Sequence, residues 1–96
     1  MIFKDRVFKT ISRHGSITVL PKGDTVNFIS NHYGHKKAFF VKAHGHIPKD
    51  RLHSLENYQH KTGMPVILVS EQPGHIPRFE ALSRYLRWRR GRGDKV

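Results

Sequence analysis

Apolar residues recur three and four apart at the start of the chain. Phe3, Val7, Phe8 and Ile11 alternate with Lys4, Asp5, Arg6 and Lys9, a spacing that predicts a helix over residues 2–12. His14-Gly15 supplies its stop, glycine being suited to the closing turn of a helix. Ser16-Ile17-Thr18-Val19-Leu20 is short and β-branched, and Pro21-Lys22-Gly23-Asp24 interrupts it, so a strand and then a turn are expected. Thr25 to Ile29 reads as a second strand, and Asn31 to Lys37 as a polar hairpin loop.

Ala38-Phe39-Phe40-Val41-Lys42-Ala43 is apolar on both alternating faces, the pattern of a strand in the middle of a sheet. The turn His44-Gly45-His46 leads to Pro48 at a first helical position, and Leu52, Leu55 and Tyr58 then form one stripe, ending at Lys61-Thr62-Gly63. Pro65 to Val69 is a buried strand. After Glu71-Gln72-Pro73-Gly74, Pro77 opens a last helix with Phe79, Leu82, Tyr85 and Leu86 inward. Gly-His-Ile-Pro occurs at residues 45–48 and again at 74–77, each copy read as preceding a helix. The expected fold is α/β: a mixed sheet of about four strands flanked by helices, in the order α-β-β-β-α-β-α. Two strands joined across a helix form a parallel pair. Residues 1–86 make one domain, and 87–96 a basic, flexible tail.

Charge narrows the class of partner. Eighteen Lys and Arg against seven Asp and Glu leave a formal charge of +11 on 96 residues, a field that attracts polyanions. Nucleic acid answers it most directly; anionic lipid and an acidic protein are the other polyanions that could. The chain has no cysteine, which excludes disulfides and thiolate zinc sites. No apolar run approaches membrane-spanning length and the first residues are charged, so a protein of the cytoplasm or nucleoid of a bacterial or archaeal host is expected, with no membrane partner.

The order of elements, with a Gly-Asp turn after the first strand and a lysine ending a central one, is similar to the PD-(D/E)XK nuclease superfamily. The resemblance is to the small archaeal-type Holliday junction resolvases and related phage proteins. It runs from about Lys4 to Val69 and is clearest in Phe39 to Ala43, Ile47 to Leu52 and Thr62 to Val69. It implies a restriction-endonuclease-like fold, action on DNA in recombination, repair or a phage process, and a homodimer. In an active member, Mg²⁺ held by carboxylates polarises the phosphodiester, and a lysine steadies the developing charge. Carried over by position, Asp24 matches the metal-binding aspartate and Lys42 the lysine, while Asp5 lies near an acidic position of the first helix. The acid expected two residues before Lys42 is replaced by Phe40, and Arg51 stands where the family often has Gln. Asp50 or Glu56 on the following helix are the candidates for a relocated acid.

Two further groups bear on phosphate binding. His32, His35, His44 and His46 flank the central strand; they are candidate zinc ligands, or loop residues that gain charge below about pH 6.5. The C-terminal run carries Arg84, Arg87, Arg89, Arg90 and Arg92 around Trp88, combining guanidinium forks with a ring for stacking. With Lys36, Lys37 and Arg51 these make the expected nucleic-acid-binding set. The leading expectation is a nucleic-acid-binding protein, structure- rather than sequence-specific, on a degenerate nuclease-like fold. The alternatives are an active Mg-dependent endonuclease using Asp24, Lys42 and Glu56, and a basic accessory factor for an acidic host protein.

Overall fold

The computed structural model describes residues 3–42 and 47–92. Helix α1 (Phe3–Ile11) runs into a single 3₁₀ turn (Ser12–His14) and then strand β1 (Ser16–Val19). Strands β2 (Phe28–His32) and β3 (His35–Val41) form a hairpin, helix α2 (Lys49–Thr62) crosses over to β4 (Val66–Gln72), and β5 (Ile76–Ala81) leads into α3 (Leu82–Gly91). The five strands lie in sequence order, β1-β2-β3-β4-β5. All neighbours are antiparallel except β3 and β4, which the α2 crossover joins in parallel.

The expected α/β class and the parallel pair are present, with two changes. The sheet has five strands, not four, because residues 76–81 form β5, with Pro77 opposite Glu71. Pro77 was expected to open a helix. On an edge strand its missing N–H costs no ladder bond, so proline is tolerated there, and α3 starts five residues later at Leu82. The second Gly-His-Ile-Pro copy therefore enters a strand, and α3 continues to Gly91 through residues assigned to the tail. Of the first copy, Gly45 and His46 lie outside the described residues, as do Ala43 and His44.

The second change is in the β2–β3 hairpin, where the expected loop of residues 31–37 is almost all strand. His32 pairs with His35 across a two-residue turn. Tyr33 and Gly34 both have positive φ, 51° and 84°, the signature of the tight turns that match strand twist. The Asn31 side chain closes the turn by accepting the Gly34 N–H at 2.9 Å.

Strand alternation sorts the core into two layers. Ala38 and Phe40 of β3, with Val66 and Leu68 of β4, pack toward Leu52 and Leu55 of α2 and Leu82, Tyr85 and Leu86 of α3. Phe39 and Val41, with Ile67 and Val69, face the other way, toward Val7 and Ile11 of α1. One helix thus covers one face and two cover the other. Two amide side chains satisfy strand ends: Gln59 Oε1 accepts the Val66 N–H at 2.9 Å, and Asn27 Oδ1 accepts the Val41 N–H at 2.7 Å. Among the described residues no helix is long and apolar enough to cross a membrane.

Candidate nucleic-acid interface

β3 delivers Lys42 to the surface. The Lys42 N–H still bonds the Val69 carbonyl at 2.9 Å, so the parallel pairing holds one residue past the strand. Alternation places Lys42 on the side of Ala38 and Phe40, and its Nζ lies 5.4 Å from the centroid of the Tyr85 ring on α3. Two residues earlier, Phe40 packs half-buried against the α2–α3 core. The Arg51 guanidinium carbon lies 5.8 Å from its ring centroid. Position 40, two residues before Lys42, is thus filled by a packed ring with a cation over it.

The carboxylates are dispersed. Asp24 is exposed in the turn after β1, where its N–H bonds the Pro21 carbonyl at 3.2 Å. The Asn27–Val41 bond holds the end of this connection beside the end of β3. No ion pair joins Asp24 to Lys42 among the described residues. Glu56 turns to α3 and accepts from Arg90 at 3.3 Å. Asp50 is exposed in the first turn of α2. Asp5 sits on α1, against the opposite face of the sheet from Tyr85. Among the described residues no three His, Cys, Asp or Glu side chains are grouped as a metal site. Among the described residues the donors do not converge into the oxygen cage that magnesium requires.

Cations and aromatic rings, in contrast, are brought together. Tyr85 and Trp88 rings stand 5.8 Å apart; the Arg89 guanidinium lies 5.9 Å from Tyr85 and that of Arg92 4.8 Å from Trp88. Tyr85, Trp88 and Arg89 are three and four apart and share one side of α3, and Arg92, the residue that caps the helix, follows on the same side. Arg89 also donates to the Ile47 carbonyl at 2.8 Å, tying α3 to the entry of α2. Lys42, Tyr85, Trp88 and Arg92 therefore form one continuous series from the central strand to the end of the helix. Each cation–ring contact contributes about 0.5–1 kcal/mol when exposed and holds a charge in place. Arg84 and Arg87 are exposed on the same helix, and Trp88 is 45% exposed. Arg90 is engaged with Glu56, so it braces α3 on α2. Tyr85 was expected only as an inward-facing core residue; its spacing from Trp88, Arg89 and Arg92 is the signal that could have revealed the series.

The β2–β3 hairpin forms a second basic region. Tyr33 at its tip is 91% exposed, with the His32 ring edge-on at 4.5 Å. Lys36 and Lys37 are exposed and alternate between the two faces. Lys37 lines a groove on the α1 side, which Phe39 and Phe79 also line. His32 and His35 are paired across the turn; His44 and His46 lie outside the described residues.

Comparison with protein-family models and with curated proteins finds no match to this chain.

Proposed function

We propose that this protein binds nucleic acid, DNA in particular, through α3 and the adjoining end of β3, on a restriction-endonuclease-like scaffold that binds without cutting. The observation that carries this reading is the unbroken series Lys42–Tyr85–Trp88–Arg92, with Phe40, beneath Arg51, where the resemblance expects a carboxylate. Arg92, held over the Trp88 ring, can present its N–H fork to phosphate oxygens, and Trp88 offers a face for an unstacked base. The scaffold assignment is supported by the α-β-β-β-α-β order, with an antiparallel first triplet and a parallel β3–β4 pair. By the same resemblance the protein acts as a homodimer on branched DNA, in recombination, repair or a phage process inside a bacterial or archaeal cell.

Binding to duplex, single-stranded and branched DNA at rising salt tests the proposal. Neutralising Z phosphates makes log affinity fall with log salt at a slope of about −0.9Z on duplex. Affinity that does not change between low and physiological salt defeats it. The same substrates incubated with Mg²⁺ or Mn²⁺ should remain intact. Cleavage lost in Lys42→Ala would instead establish the endonuclease reading. Recovery of an acidic protein from nuclease-treated lysate, with no DNA affinity, would establish an accessory factor.

A further inference from the structure

We infer that the groove on the α1 side of the sheet receives one unpaired nucleotide, its base against Phe79 and its phosphate against Lys37, His32 and His35. The inference rests on the nucleic-acid reading above and adds the substrate feature that would be recognised on the face opposite α3.

The groove encloses about 670 Å³, inside the range of about 300–1,000 Å³ usual for small-molecule sites. Its floor is aromatic. Phe39 is buried, whereas Phe79 on the edge strand is 41% exposed, and the two rings meet edge to face at 6.1 Å and 82°. Phe39 thus steadies a phenyl ring that is still open to a ligand. His32, His35 and Lys37 line the same groove, and no carboxylate does. An aromatic floor with cationic lining is complementary to a base bearing a phosphate.

Ser30 lines the same groove and is 8% exposed as a residue, so a small hydroxyl side chain stands among the aromatic and basic groups. The sheet register sets Ser30 opposite Lys37 and His32 opposite His35, so these polar groups come from adjacent positions of one rigid hairpin. A second copy of the chain is a poor occupant of this groove, which offers Lys37 and no carboxylate to a molecule of net charge +11; a homodimer would use another face.

Titration of the isotope-labelled full chain with adenosine 5′-monophosphate, adenosine and inorganic phosphate, followed by NMR, tests the site directly. The monophosphate should give saturable shifts at Ser30, Lys37 and Phe79, with adenosine binding more weakly. Phe79→Ala should weaken binding about tenfold, and Lys37→Gln should weaken it with the fold intact by circular dichroism. No response at these residues, or shifts reproduced in full by phosphate alone, overturns the inference. So does loss of self-association in Phe79→Ala without any nucleotide response, which would assign the groove to a second copy. In a second assay, a duplex with one unpaired adenine should bind about tenfold more tightly than a fully paired duplex, and Phe79→Ala should abolish only that preference. Failure to bind either duplex would overturn the proposed function; equal binding of both, with no nucleotide shifts, would overturn the groove alone.

Discussion

The Lys42 ammonium lies 5.4 Å from the centroid of the Tyr85 ring, so the residue just past the central strand and the buried side of the final helix meet at one surface. Tyr85 is only 4% exposed, and its hydroxyl has no hydrogen-bond partner among the described residues. An unsatisfied buried hydroxyl costs about 1–3 kcal/mol. Tyr85→Phe keeps the ring and removes the orphan, so it should stabilise the fold by about 1 kcal/mol. A thermal melt should then show a rise of about 4–8 °C, the shift expected for a domain of this size. A lowered melting temperature would mean that the hydroxyl is satisfied.

Exposed arginines on α3 should act through charge. Arg84→Ala and Arg87→Ala should each weaken duplex binding and reduce the salt slope by about 1. Trp88→Ala should spare duplex binding but reduce affinity for single strands by about 1–3 kcal/mol, the contribution of one base stacked on a ring. Equal losses on both substrates would argue against stacking at Trp88.

Placing at position 40 the acid that the proposed nuclease-like scaffold would call for should not by itself create a nuclease. Phe40 is packed on the α2–α3 core beneath Arg51. Phe40→Glu should cost roughly 1.5–3 kcal/mol of lost burial, offset in part by Arg51, and no cleavage of branched DNA should appear with Mg²⁺. Cleavage by this variant would show that Asp24 approaches Lys42 closely enough to complete a metal site.

Glu56 should prove a brace and nothing more. Its pair with Arg90 spans 3.3 Å between half-exposed side chains, and solvent-screened pairs of this kind are worth about 0–1 kcal/mol. Glu56→Gln should shift the denaturation midpoint within that range and leave DNA affinity equal or slightly higher. A large loss of binding would show that Glu56 positions α3.

Gly15 should tolerate no side chain. Its φ is 143°, and an added Cβ would stand 2.5 Å from the Asn31 carbonyl oxygen on β2. Relief requires shifting backbone, so Gly15→Ala should destabilise by about 1–3 kcal/mol, measurable by urea denaturation. A neutral result would mean that β1 can separate from β2 at this point without loss.

Local pattern was sufficient for much of this architecture. Val7 and Ile11, Leu52 and Leu55, and the two-sided apolar runs at Phe39 and Val66 to Val69 each announce an element, because periodicity depends on neighbours a few residues away. The basic charge and the absence of an acid at Phe40 were equally open to reading. Tertiary structure decided the rest. Pro77 is compatible with a helix start or an edge strand, and only pairing with Glu71 at the sheet's margin selects the strand. His35, Lys36 and Lys37 look like loop because they are polar, yet ladder bonds to β2 hold them extended beyond the core. The neighbours of Lys42 were likewise invisible: Tyr85 lies forty-three positions away, and α3 brings it there only by packing Leu82 and Leu86 onto the sheet. Chain chemistry states which charges and rings exist; burial of apolar faces decides which of them meet.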